Sequence, residues 1–422
     1  MNTRSFMEQA LGPYVRLAPP SPNGPIHAWR PWLAWQRCLT DSSERQSNLQ
    51  RVLPPGFRDS LAAELCSYGQ YAVEAPEELS PELRTDAWLA MLELLHAFDS
   101  LAAPRRAAVA GLLLSLGFYE LLARISEIPS EDAIAADPWE ASVALTTASA
   151  CTVLGSIGRR PYTLVPLATI AENAARDSDV RFNACIDLIV QHAKYTGDVE
   201  AATHWRECAW QSLQTLTSKY GAESFRAHLL TSRFYRSASY VPFMRRERDI
   251  VVAEMALCEA HAMAMTPRSE SEALLARENC MPMLQSRAKE ARWIGDLALA
   301  KERLERARDI DPMDSARWVE LGEIHLDLGE PEPALTCYVT AARLAPPGGA
   351  LAWFMAGEAA RLAGDNETAC THYLHALAID GLCVAALDQL SSIASEQEST
   401  RHLGALAAAV QHHQRHTAAA MA

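Results

Sequence analysis

The chain has 422 residues, 49% of them hydrophobic and 21% charged, and a formal net charge of −14 at pH 7. That length can bury several domains or one long array. The excess of carboxylates argues against a dedicated nucleic-acid binder, which needs a basic surface.

In chain order, the first segment (1–58) is rich in proline: Pro19, Pro20, Pro22, Pro25, Pro31, Pro54 and Pro55, with Gly24 and Gly56. It predicts an irregular arm with room for one or two short helices, one of them starting at Pro31. Within it Trp29, Trp32 and Trp35 recur every three residues and would form an apolar stripe on a short helix, which either pins the arm to the rest of the chain, the favoured reading, or meets a partner. Residues 1–20 carry Glu8 and no long apolar run, so a secretory leader is not expected.

From about Ser60 onward Ala, Leu, Glu, Arg and Gln dominate, and period-two β-branched alternation is nearly missing. Breakers recur between the periodic stretches, among them Pro104, Pro138, Gly197, Gly221, Pro242, Pro267, Pro312 and Pro346. Residues 59–280 therefore read as diverged helical hairpins. Two low-charge runs stand out. Residues 107–119 are too few to span a bilayer, and residues 141–158 contain Ser142, Thr146, Thr147, Ser149, Thr152 and Ser156, which suits a buried helix. No membrane contact is expected. The ten cysteines stand singly with no CxxC, so neither a disulfide framework nor a zinc site is predicted, and the chain reads as cytoplasmic.

One stretch of this region is basic and aromatic. Arg226, Arg233, Tyr235, Arg236, Arg245 and Arg246, with Phe234, Tyr240, Phe243 and Arg248, are opposed by Glu247 alone. Guanidinium forks beside aromatic faces suit a carboxylate, a phosphate or a stacked ring. The segment is either a ligand pocket or a helix end paired with neighbouring carboxylates. Downstream, Met255, Cys258, His261, Met263, Met265, Cys280, Met281 and Met283 collect soft side chains, but without a repeating ligand spacing they read as core, and no metal or cofactor is expected.

Residues 281–383 carry a register. Leu284, Trp318 and Trp353 each precede a glycine (Gly295, Gly329, Gly364) by eleven residues; Ala300, Ala334 and Ala369 follow five residues after it, then Leu304, Tyr338 and Tyr373, then Ala307, Ala341 and Ala376. A weaker echo runs through Ile186, Ile189, Ala193, Gly197, Ala202 and Ala209, with Arg206 in the place of the large apolar residue. A period of about 34 residues means stacked helix pairs. Trp318 and Leu321 would bury the first helix, Gly322 and Ala334 would allow a close approach, Gly329 would turn, and Tyr338 and Ala341 would face the next pair.

These positions resemble the tetratricopeptide repeat family, although His325 and Pro331 stand where aromatics are usual. The resemblance implies an all-α, right-handed superhelical array of helical hairpins, closed by helices within 384–422. It also implies a concave groove lined by the first helix of each pair: Gln285, Lys289, Arg292 and Trp293; Val319, Glu323 and Leu326; Phe354, Glu358 and Arg361. Glu323 and Glu358 disfavour a chaperone-type carboxylate tail, so an extended peptide of mixed character is the expected partner. No phosphate loop, dinucleotide fingerprint, HExxH or nucleophile elbow occurs, so no catalytic residue is assigned. The expected function is a peptide- or protein-binding adaptor or accessory subunit. The alternatives are an enzyme or small-ligand sensor around Arg233, Arg236 and Arg245, and a peptide-sensing regulator.

Overall fold

The structure is a computed structural model that describes residues 86–116, 119–126, 138–156, 163–173, 177–310, 315–344, 349–379 and 383–396. The proline-rich arm with Trp29, Trp32 and Trp35, the breakers Pro312 and Pro346, and the histidines of the C-terminal tail lie outside them. Among the described residues there is no strand. The chain divides into two compact units, with the boundary between Ile294 and Gly295.

The first unit contains α1 (Asp86–His96), α2 (Ala103–Leu116), α3 (Tyr119–Ile125), α4 (Pro138–Ser156), α5 (Val165–Glu172), α6 (Ser178–Gln191), α7 (Val199–Tyr220), α8 (Phe225–Ala238), α9 (Tyr240–Met244), α10 (Arg248–Ala264) and α11 (Glu270–Ile294). Helices α2 and α3 pack on α4, α5 and α7 on α6, and α8 and α11 on α10. Residues 141–158 largely form α4, which is buried, hydroxyls included: Ser142, Thr146, Thr147 and Thr152 are all at most 3% exposed. Their hydroxyls are satisfied locally. Thr146 Oγ1 donates to the Ser142 carbonyl at 2.8 Å and Thr152 Oγ1 to the Ala148 carbonyl at 2.9 Å, while Thr147 Oγ1 meets Ser126 Oγ at 2.8 Å. That pattern lets a polar-speckled helix sit in a core without orphaned groups. Pro242, expected as a breaker, lies within the short α9, where a first-turn position needs no amide proton.

The second unit contains α12 (Leu297–Ile310), α13 (Ser315–Asp327), α14 (Pro331–Leu344), α15 (Gly349–Leu362), α16 (Asn366–Ile379) and α17 (Val384–Glu396), each packed on the next. The register glycines make the turns. Gly329 and Gly364 sit at φ 75° and 84°, and the residues after them close Schellman rings, Glu330 N–H to the His325 carbonyl at 2.8 Å and Asp365 N–H to the Ala360 carbonyl at 2.9 Å. The upstream echo also turns at a left-handed glycine, but there a π-helical turn ends on it: Gly197 has φ 68° and itself donates to the His192 carbonyl at 2.8 Å.

Following three of these glycines is an aspartate that caps the next helix. Asp198, Asp296 and Asp365 accept from the amides of Ala201, Leu299 and Thr368 at 2.9, 3.0 and 3.0 Å. In the middle copy Glu330 replaces it. Its Oε2 instead accepts from His325 Nδ1 at 2.6 Å and Lys301 Nζ at 3.3 Å, bonds that hold its carboxyl below the usual range. His325 thus stands where an aromatic is usual because it anchors the turn.

Tyr338 and Tyr373 are the largest fully buried side chains of the unit. Tyr338 packs among Ala334, Ala356 and Ala359, bridging α14 to α15. Its ring also lies against Gly322 of α13, as Tyr373 lies against Gly357 of α15. In the second and third copies the register therefore places an aromatic over a glycine, where the first copy has Leu304 and Ala288. Helix α17 lays Ala386, Leu387, Leu390 and Ile393 on α16.

Candidate partner-binding face

Six of the predicted groove residues lie in the second unit at equivalent offsets. On α13 they are Val319, Glu323 and Leu326; on α15, Phe354, Glu358 and Arg361. Spacing of four and three residues puts each trio on one helix face, and all six are half-buried. Their apolar members are shared with the core: Val319 and Leu326 touch the Tyr338 cluster, and Phe354 touches Tyr373, with ring centroids 5.8 Å apart. The face is therefore stiff.

Its polar members are held in place. Glu358 accepts from Tyr373 Oη at 2.5 Å and from Arg361 Nη2 at 2.9 Å. The hydrogen bond to Glu358 raises the Arg361 pKa further above its ordinary value, and burial with the Glu358 bond raises that of Tyr373. The Nε of Arg361 is buried and finds no acceptor among the described residues. Because Arg361 neutralises Glu358, the charge repulsion expected at this position is weaker than the sequence alone implies.

The remaining groove residues, Gln285, Lys289, Arg292 and Trp293, lie on α11 and belong to the first unit. Lys289 and Arg292 are exposed. The indole of Trp293 meets Phe243 edge-on, with ring centroids at 5.1 Å, so part of its surface is already occupied within its own unit.

The basic segment does not stay together. Arg226 Nη2 donates to Asp179 Oδ1 at 2.8 Å, Tyr220 Oη donates to Asp179 Oδ2 at 2.8 Å, and the Arg226 guanidinium lies 4.1 Å from the Tyr220 ring centre. Asp179 is only 5% exposed, so this is a structural clamp between α6, α7 and α8. Arg233, 4% exposed, and Arg236 act on Asp187 of α6. Burial outweighs their attraction and pushes the Asp187 carboxyl up to about 7. Arg206, in the place of the register tyrosine, pairs with Glu254 of α10, whose carboxyl burial raises above its usual range. Tyr235 is half-buried, its phenol raised by burial and by Glu254. Arg245 and Arg246 are exposed; Arg245 Nη2 donates to Thr203 Oγ1 at 2.9 Å.

Sequence reasoning missed these carboxylate partners because Asp179, Asp187 and Glu254 come from other helices. A signal was present: an arginine in an aromatic's core position requires a buried acid somewhere.

No family model matches this sequence, and no curated protein matches it. Solved structures do. The human IFIT1 dimer with PPP-AAAA aligns at 12% identity over 96% of this chain and 95% of that one, with a TM-score of 0.52. The human IFIT1 dimer with m7Gppp-AAAA gives 10% identity, 97% and 95% coverage, and a TM-score of 0.51. YrrB, described as a TPR protein with an unusual peptide-binding site, aligns over 54% of this chain and 98% of its own at 15% identity, with a TM-score of 0.33. At such identities the likeness concerns the fold alone. That fold is a tetratricopeptide-type helical repeat.

Proposed function

We propose that this chain is a non-catalytic scaffold that binds an extended peptide or a protein segment on the α13–α15 face, as an adaptor or accessory subunit. The observation that carries the reading is the matched pair of trios, Val319, Glu323 and Leu326 beside Phe354, Glu358 and Arg361. Apolar patches next to a fixed guanidinium suit a peptide with hydrophobic side chains and one acidic or carbonyl contact to Arg361. Rigid half-buried anchors also reduce the ordering cost that weakens flexible binding sites. The cysteines among the described residues are all free, which fits a reducing cytoplasmic setting.

IFIT1 is seen with PPP-AAAA, so the fold alone does not favour peptide over RNA. The net charge of −14 and the acidic partners of Arg206 and Arg226 favour the peptide reading. The test is a peptide-display selection on the full chain, followed by affinity measurements on Arg361→Gln and Leu326→Ala. Selected peptides should lose at least about tenfold in affinity when one such anchor is removed. Affinity unchanged in both variants, or binding of a 5′-triphosphate oligonucleotide instead of any peptide, would refute it.

A further inference from the structure

Inside the first unit, α8 and α10 bring two imidazoles nitrogen to nitrogen. His228 Nδ1 and His261 Nδ1 are 3.0 Å apart, with ring centroids at 5.2 Å and planes tilted by 43°. Both residues are half-buried, so solvent reaches the pair. On the far side of His228, Glu223 Oε2 lies 3.7 Å from Nε2. The Tyr235 ring lies nearly parallel to that of His261, with centroids 6.3 Å apart and planes at 19°.

Two imidazole nitrogens that converge this way can share one hydrogen bond or hold one cation. Nitrogen ligands sit roughly 2.0–2.1 Å from Zn²⁺. On one ion they are therefore roughly 3.3 Å apart at a tetrahedral angle and about 2.9 Å apart at a right angle. The observed 3.0 Å falls within that span. We propose that His228 Nδ1 and His261 Nδ1 form an open binding site for a borderline divalent transition-metal ion of the Zn²⁺ or Cu²⁺ class, its other positions filled by water or by a partner's side chain.

Imidazole is a favoured ligand for these ions. A carboxylate on the outer nitrogen is the arrangement that fixes the ligating tautomer, with Nε2–H donating outward and the Nδ1 lone pair inward. Glu223 lies on that side of His228 but at 3.7 Å and largely exposed, beyond a direct hydrogen bond, so it reaches this relation only by a small side-chain movement. Binding asks only that the ring now donating from Nδ1 carry its proton on Nε2 instead. Cys258 lies one turn before His261, yet it is no third ligand: its sulfur meets Ser232 Oγ at 3.6 Å, and burial raises its thiol pKa, so the thiolate is disfavoured. Among the described residues no group of three or more His, Cys, Asp or Glu side chains is placed to hold a metal, so the protein supplies two ligands and leaves the rest open. The soft residues of this hairpin thus contribute His261 alone, and its partner comes from a different helix.

Calorimetric titration of the full chain with Zn²⁺ near neutral pH tests this, alongside His228→Gln, His261→Gln, Glu223→Gln and a variant with His412, His413 and His416 all changed to Ala. The expected result is one ion per chain at this site, retained in the tail variant and weakened at least about tenfold in either His variant, with a smaller loss in Glu223→Gln. Imidazole ¹⁵N resonances of the parent chain should report coordination through Nδ1 of both rings. Zinc uptake unchanged in the His variants, or lost only in the tail variant, would overturn the proposal. So would an imidazole pair undisturbed by saturating Zn²⁺. The resonance measurement needs no substitution at either histidine, so it decides the matter even where a His variant fails to fold.

Discussion

Gly322→Ala isolates the contact on which each helix pair of the second unit is built. A Cβ at this position would lie 2.7 Å from Tyr338 Cε1, 2.8 Å from Cζ and 3.0 Å from Cδ1, where carbon atoms prefer about 3.5–4.0 Å. The tyrosine cannot step aside, because it is 0% exposed and enclosed by Ala334, Ala356 and Ala359. Overpacking of this kind costs about 1–3 kcal/mol. Replacing a helical glycine by alanine gains about 0.5–1 kcal/mol, so the two terms oppose each other and the steric one wins. Net destabilisation of about 1–2 kcal/mol is expected. Native-state hydrogen exchange of the α13 and α14 amides is the suitable assay, since a chain of two units need not unfold in one step. The companion variant is Tyr338→Leu. In its background Gly322→Ala should lose most of its cost, a coupling of about 1–2 kcal/mol. If Gly322→Ala leaves exchange unchanged or slows it with Tyr338 intact, the aromatic-over-glycine reading is wrong.

Gly111, in the interior of α2, is the opposite case: an added Cβ meets nothing within 4 Å and the backbone is ordinary. Gly111→Ala should raise stability of the first unit by about 0.5–1 kcal/mol, measured by denaturant midpoint. Removing the acid of the α6–α8 clamp with Asp179→Ala takes the partner from Tyr220 and from a partly exposed Arg226 and should cost about 1–3 kcal/mol, seen as a lowered midpoint, with Tyr220→Phe costing less. Asp187 gives a pH signature. Its folded pKa of about 7 exceeds the unfolded value of 3.8, so the folded state holds the proton more tightly and this group's contribution declines as pH rises from about 4 to about 7. Asp187→Asn should flatten the stability-versus-pH curve across that window, and an unchanged slope would contradict the burial argument.

The turns of this protein are legible in sequence because left-handed backbone admits few residues other than glycine, so Gly197, Gly295, Gly329 and Gly364 mark them directly. Alanines at fixed offsets are equally legible, since close helix contact excludes larger side chains; Ala300, Ala334 and Ala369 are all 0% exposed. The caps at Asp198, Asp296 and Asp365 were readable too, one residue after each glycine, but a glycine-centred search passes over them. What could not be read is long-range pairing. The basic segment at 226–248 looked like one patch, yet Arg226 turns to Asp179, 47 residues earlier, and Arg245 to Thr203. The candidate face was legible as two trios from helical spacing, and so was the i,i+3 pairing of Glu358 with Arg361; only the hydrogen bond from Tyr373 to Glu358 depends on α15 and α16 coming together. Compositional charge describes what the chain carries, and only packing decides what remains available to a partner.

The most direct test of the scaffold reading is the affinity of a display-selected peptide for the full chain compared with Arg361→Gln. The α13–α15 face requires a loss of at least about tenfold, with circular dichroism unchanged and the peptide protecting α13 and α15 amides from exchange. A peptide that binds equally well to both proteins, or that protects other helices instead, would contradict it.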